Sequence, residues 1–364
     1  MPFDPSLGLP HAFAVPVFLE ADTKYSRSMR VRLDPIDEYM HELGPEPNFN
    51  ESMYFNVYDA SSQVGGWFRI GNRANEGRAE MTVCLYLPDG RVAFMFQRPQ
   101  ISDNSAFDAA GLKIRVVEPF QELALTYAGN VCVLCNPLEM AEPKRAFTEN
   151  PRVGCTVDLR VLGLSPMFGG EPDEPHETPG EEFAKGHYEQ LLQAQGTIVV
   201  GDEHWTIEGF GLRDHSWGPR FWQAPWYYRW LTGNAGSDFG FMGSFVAKKD
   251  RVGSQGGFVW EGGELIIVDE VHVDTEWTGE DTYHRGVAVT LRSSRSGREW
   301  KIRGDAFSLI PLRNRRTTPD GDELLTRISE GMTRWTLEDG RVGFGLSEYL
   351  DQIVDGRPVG YTAS

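Results

Sequence analysis

EMTVCLYLPDGRVAFMFQR, residues 80–98, holds two alternating runs on either side of Pro88-Asp89-Gly90. Proline presets φ for the first corner of a turn and glycine accepts the positive φ of the second, so the two runs read as the arms of a β-hairpin. Side chains that alternate with a period of two belong on strands, where neighbours point to opposite faces. The same rhythm continues in KIRVVEP (113–119), QELALTYAG (121–129), NVCVLC (130–135) and CTVDLRVLGL (155–164). It resumes in EQLLQAQGTIVV (189–200) and WTIEGFGLRDH (205–215), which flank a GDEH turn and form a second expected hairpin. Further runs of this kind reach RVGFGLSEYL (341–350), and nearly every break carries Gly, Asp or Asn. Only DPIDEYMHEL (34–43) looks helical, as a short segment with acids in its first turn. The expected class is all-β, built as antiparallel barrels or sandwiches.

A chain of 364 residues exceeds what one core usually serves, so two domains are expected. SPMFGGEPDEPHETPGEEFAK (165–185) is rich in Pro, Gly and acids and has no periodicity, which places the division there: 1–184 and 185–364. The formal charge of -18 argues against nucleic acid or an anionic membrane as partner. The N-terminus lacks a basic region before its short apolar run, and no run is long enough to span a bilayer, so neither a signal peptide nor membrane insertion is expected and the default location is cytoplasmic. Cys132 and Cys135 form a C-x-x-C inside an alternating run. Residues three apart on a strand face opposite ways, so buried strand cysteines are expected rather than a metal site. No nucleophile elbow, zinc-protease motif, phosphate loop or dinucleotide fingerprint occurs, and neither metal nor cofactor is expected.

Chemistry concentrates in IEGFGLRDHSWGPRFWQAPWYYRW (207–230). Asp214 and His215 stand together at the end of an expected strand, and Gly218-Pro219 forces a sharp exit after Trp217. An acid raised by burial beside tryptophans donates a proton to a weakly basic atom, and indole faces stabilise a developing cation by roughly 0.5–2 kcal/mol each. That combination suits protonation of an alkene. The alternative is architectural, with Arg213, Asp214 and Arg220 as ion pairs bracing a corner and the tryptophans as core. His187 and Glu189, in HYEQ (187–190), come near Asp214 if the second hairpin folds back. Glu348 follows a Gly-x-Gly turn and offers a second carboxylate.

Taken together, HYEQ (187–190), GFGLRDHSWGPR (209–220) with its aromatics to Trp230, and GRVGFGLSEY (340–349) resemble the AttH and carotenoid 1,2-hydratase (hydroxyneurosporene synthase) superfamily, in a bacterial branch. The resemblance implies two lipocalin-like (calycin-type) β-domains packed together, with apolar ligand sites at or between the barrels. It implies hydration of alkenes or cyclisation of polyenes, and maps the shared motif onto Asp214, His215 and Trp217. The expected function is a cofactor-independent acid–base enzyme acting on a hydrophobic isoprenoid, steroid-like or aromatic molecule by hydration, cyclisation or isomerisation. Asp214, His215 and Glu348 are the expected catalytic groups. Arg213, Trp217, Arg220, Trp222, Trp226, Tyr228, His187 and Glu189 are the expected ligand-binding groups. The alternative is a non-catalytic lipocalin-like carrier of a lipophilic ligand. A homodimer is allowed as the assembly.

Overall fold

A computed structural model describes residues 31–173, 183–250, 253–317, 321 and 323–361, with the backbone of 22–23 and 26–27. The alternating runs all become antiparallel strands, and the 80–98 hairpin forms as Arg78–Tyr86 and Val92–Gln97. Eight strands close a ring: Gly186–Val200, Glu203–Pro219, Phe49–Asp59, Val64–Arg73, Arg78–Tyr86, Val92–Gln97, Glu122–Leu134 and Arg152–Gly163, the last pairing back to the first. A ring of this size has an interior that side chains fill. Met53, Phe55, Phe68, Val83, Leu125, Leu159 and Ile207 are among those that fill it.

The second sheet is open and curls around its own core. In spatial order it runs Glu264–Val268, Ser254–Glu261, Phe239–Ala247, Tyr227–Asn234, Val342–Val354, Glu323–Leu337, Arg298–Thr317, Tyr283–Ser293 and Glu270–Thr278. Leu231, Phe241, Val259, Val289, Ile302 and Trp335 fill its concave side. The fold is therefore all-β with two curled antiparallel sheets, as the alternation implied.

The chain passes from one sheet to the other at 220–226, after Pro219 and before Tyr227. The division expected at 184/185 falls instead between two neighbours of the first sheet, since Phe168–Pro172 pairs with Gly186–Val200. Polar, glycine-rich composition marks exposed chain, and a long connection between paired strands has that composition as readily as a linker. Residues 174–182 of that acidic segment lie outside the described residues.

Burial along the strands shows where the sheets meet. Arg152–Gly163 alternates, with Cys155, Val157, Leu159 and Val161 buried and Thr156, Asp158 and Arg160 exposed, as one face in water requires. Phe49–Asp59 is buried at every position. Its Met53, Phe55 and Val57 enter the barrel, while Tyr54 and Tyr58 pack with Ile310, Met332 and Leu346 of the second sheet. Tyr86 donates across the same interface to the Glu330 carbonyl at 2.9 Å.

Two local expectations change. Of 34–43 only Pro35–Glu38 is helical, as a single 3₁₀ turn: Asp37 accepts from the Asp34 N–H at 2.7 Å, and Tyr39 is already extended. A short α-helix, Pro143–Glu149, follows the 3₁₀ turn Pro137–Ala141. Cys132 is buried in its strand and Cys135 exposed beyond the strand end, and all four cysteines are free.

The barrel is shut at one end by an aromatic stack. His41 lies 3.9 Å from the Trp217 ring, nearly parallel to it. Trp217 itself lies flat over Gly186, where a Cβ would sit 2.2 Å from the indole Cζ2. Glycine is required there by the close approach of the ring. Gly186→Ala should therefore lower stability by about 1–3 kcal/mol through overpacking. Urea unfolding checks this, and an unchanged midpoint would mean that the stack is not seated as described.

Candidate functional site

The strand Glu203–Pro219 carries the motif, and its period of two sorts the motif residues onto two faces. Arg213, His215 and Trp217 point to the barrel end. Leu212, Asp214 and Ser216 point outward, toward the second sheet.

At the barrel end the partners come from far away in sequence. Arg213 forms a two-pronged pair with Glu38, Nη1 to Oε1 at 2.6 Å and Nη2 to Oε2 at 2.8 Å, and donates from Nε to Gln190 at 2.9 Å. His215 Nε2 meets Glu51 Oε1 at 2.6 Å and its Nδ1 lies 3.2 Å from the Tyr188 hydroxyl, which donates to Glu38 at 2.7 Å. His41 Nδ1 reaches the same Glu51 oxygen at 2.9 Å. Burial alone would raise the Glu51 carboxyl, but hydrogen bonds from His215 and His41 reverse this and bring it down to about 2. Arg213, His215 and Trp217 therefore form a buried structural network and do not reach a ligand cavity. The catalytic and ligand-binding roles expected of these three residues meet a structure that turns them away from the inter-sheet cavity, because a strand cannot aim consecutive side chains at one space.

The outward face opens on a cavity of about 460 Å³ between the two sheets, within the usual range for a small-molecule site. Tyr54, Trp67, Phe94 and Phe96 form its wall on the barrel side. Trp230, Leu312 and Ile328 face them from the second sheet, and Met140 and Phe147 close it near the short helix. His187, Glu189, Asp214, Arg220, Trp222, Tyr228 and Glu348 all line it, as expected. Trp226 does not; its backbone N–H donates to the Ala247 carbonyl at 2.9 Å and its ring lies under Lys249.

Hairpin register explains how HYEQ joins the motif. Glu189 is the cross-strand partner of Asp214, and His187 sits opposite Ser216. His187 Nε2 lies 2.5 Å from Asp214 Oδ2 and 3.4 Å from Glu189 Oε1, and Trp230 Nε1 donates to Glu189 Oε1 at 3.0 Å. Burial would raise the Asp214 carboxyl, but the charge and hydrogen bond of His187 hold it below its ordinary value. Burial would likewise lower His187, and Asp214 and Glu189 raise it instead. The elevated acid expected at Asp214 is found one strand away: burial first, then the neighbouring charges of Asp214 and Glu348, push Glu189 up to about 7. Its Oε2 is buried without a partner.

The second carboxylate, Glu348, has a partner that was not legible in the sequence. Glu330 lies directly across from Glu348 in the register of Glu323–Leu337 and Val342–Val354, so the two buried carboxyls face each other's charge. Tyr228 donates to Glu348 Oε1. Burial raises both carboxyls, Glu330 well above its ordinary value, since two like charges in contact cannot both be kept from water. The only sign of Glu330 in the sequence is a carboxylate inside an apolar strand run, ISEGM. Tyr54 and Arg69 were missed for a similar reason, since they belong to strands of the first half that carry no motif.

Among the described residues, two sets of donor atoms lie close enough to share a metal ion: His41, Glu51 and His215, and His187, Glu189 and Asp214. The first is closed by hydrogen bonds among its own members. The second faces the cavity. Neither has sequence spacing that would reveal it, because strand pairing brings His187 and Glu189 to Asp214, and a non-strand segment brings His41 to Glu51 and His215.

A family model described as "Domain of unknown function (DUF7064)" matches residues 34–353. No curated protein sequence matches the chain. Among solved structures, a Nitrosomonas europaea protein designated AttH aligns at a TM-score of 0.51 with 13% identity, covering 91% of this chain and 98% of that one. Kievitone hydratase from Nectria haematococca aligns at 0.51 with 9% identity, covering 89% and 93%. CghA, solved with Sch210972, aligns at 0.50 with 13% identity, covering 88% and 94%. The fold is thus the AttH-like one, over nearly the full length of each chain.

The barrel-end network makes stability depend on acid. Glu51 is depressed in the folded state, so its contribution is fully present above about 4.5, the ordinary value, and is lost as pH falls toward about 2. A shift of that size corresponds to about 3 kcal/mol. Urea titrations across this range should show the wild type losing about 3 kcal/mol more than Glu51→Gln. Parallel curves for the two proteins would contradict the network.

Proposed function

The chain belongs to the DUF7064 family, and we propose that it is a cofactor-independent acid–base enzyme acting on a hydrophobic small molecule held between its two sheets. One observation carries the reading. A single apolar-walled cavity receives both an Asp–His pair and a group of carboxyls that burial raises, Glu189 to about 7. Asp214 orients His187 and stabilises its charged form, which makes the imidazole a proton carrier at the cavity wall. Glu189 and the Glu330–Glu348 pair are the proton donors, since a neutral carboxylic acid in an apolar site delivers a proton to a poorly basic atom.

The chemistry follows from that division. Proton transfer from a carboxyl to an alkene carbon breaks the π bond and leaves a carbocation, which the faces of Trp230, Tyr54 and Trp67 stabilise. Attack by water, with His187 taking the surplus proton, completes a hydration. Loss of a neighbouring proton to His187 gives an isomer, and capture by a second alkene of the same molecule closes a ring and moves the cation, which loss of a proton to His187 then discharges. The names of two fold relatives agree with this range: one is a hydratase and the other was solved with a small organic molecule. A carrier would fit a large apolar cavity away from Asp214. Here the cavity and Asp214 coincide, which favours the enzyme.

Mass spectrometry of organic extracts from the purified protein supplies the substrate for the test. Asp214→Asn and Glu348→Gln should each lower kcat by about 10²–10⁴-fold, the usual worth of general acid–base catalysis, with unfolding and ligand affinity little changed. Turnover should also fall as pH rises past about 7, where Glu189 ionises, and Glu189→Gln should remove that limb. A ligand that binds with equal affinity to all variants and is never converted would establish the carrier instead.

A further inference from the structure

The cavity carries an unbalanced positive pair. Arg69 and Arg220 both lie against the Trp222 ring, each guanidinium carbon 5.5 Å from the ring centroid. Arg220 is buried and donates to neutral acceptors, from Nε to the Phe183 carbonyl at 3.0 Å and from Nη2 to Ser216 Oγ at 2.8 Å. Among the described residues no carboxylate forms an ion pair with it. Arg69 has only long contacts, to Glu80 and Asn50 at 3.5 Å each, and shares Glu80 with Arg98.

Burying one charge without a counterion is costly, and placing a second like charge beside it adds to that cost. The strain is visible in Arg220, which burial and then Arg69 bring down to about 10. Asp214 is the one acid whose charge favours Arg220, but it forms its ion pair with His187 and none with Arg220, while Glu189, Glu330 and Glu348 are raised toward their neutral forms. A protein of formal charge -18 thus places positive charge inside an apolar-walled space. Paired guanidiniums with free N–H groups match the oxygens of a carboxylate or a similar organic anion.

We propose that Arg69 and Arg220, flanking Trp222, bind the anionic group of the ligand, so that the substrate is a hydrophobic organic acid. This rests on the reading that the inter-sheet cavity is the ligand site, and it fixes polarity: the anion at Trp222, the apolar body between the aromatic walls, and the reacting carbons toward Glu348 and His187. Arg220 follows Pro219, the last paired residue of the strand, and its side chain turns back to Ser216 on the cavity-facing side. The shared R-D-H-S-W-G-P-R string would therefore contribute a ligand contact at its last residue and architecture at its first.

Two fluorescent probes with one ring system separate charge from apolarity: 8-anilinonaphthalene-1-sulfonate and neutral N-phenyl-1-naphthylamine. The full-length wild type should bind the sulfonate at least roughly tenfold more tightly than the neutral probe. Arg69→Gln and Arg220→Gln should each remove about that factor for the sulfonate and leave the neutral probe within about twofold. Arg69, with its long contacts, is the variant least tied to folding, and thermal unfolding of each variant is recorded beside the titrations. Equal affinity of the wild type for both probes, equal loss of both in Arg69→Gln, or binding of neither would overturn the proposal. The catalytic reading is judged separately, by the turnover of Glu348→Gln. An arginine-dependent anion site without turnover would leave a carrier of organic acids, and turnover of a neutral molecule without arginine dependence would leave an enzyme with a different substrate class.

Discussion

A β-strand sends consecutive side chains to opposite faces, and in the outer half of Glu203–Pro219 both faces are occupied. One face meets the plugged end of a barrel and the other meets a cavity between two sheets. Most of the site's organisation follows from that single geometric fact. Arg213, His215 and Trp217 are committed to the barrel end, where Glu38, Glu51 and His41 satisfy them. Asp214 is free to face His187 only because its two neighbours are held on the other side.

The electrostatics of the cavity depend on this separation. At the barrel end, Glu38 pairs with Arg213 and Glu51 accepts from His215 and His41, and both carboxyls are held below their ordinary values. On the cavity side Asp214 takes His187, while Glu189 meets the Trp230 N–H and Glu348 the Tyr228 hydroxyl, and burial outweighs these neutral donors so that the carboxyls of Glu189, Glu330 and Glu348 rise. Residues of one chemical type thus acquire opposite properties on the two faces of one hairpin. Environment, not residue identity, divides the acids of the network from the acids of the site.

The AttH-like fold explains why the cavity lies where it does. The barrel is filled by its own side chains, so it offers no ligand space of its own among the described residues. The second sheet covers the outer face of Phe49–Asp59 and its neighbours, and the gap between the two curved surfaces becomes the pocket. Aromatic residues from both sheets line it because each sheet brings the outward side of strands whose inward side is already committed to a core.

Alternation and turn chemistry were enough to establish the all-β class and both hairpins, since these depend on neighbours within a few residues of one another. They also gave the nearness of His187 and Glu189 to Asp214, because a tight Gly201-Asp202 turn fixes the register of the strands it joins. The motif itself marked where chemistry would gather. Which motif residues face the cavity was decided only by tertiary structure, because that depends on what covers each side of the strand. The passage between sheets at 220–226, the Glu330–Glu348 pair and the meeting of Arg69 with Arg220 at Trp222 have the same origin. Each joins residues far apart in the chain, through strand pairing and sheet packing that no local pattern records.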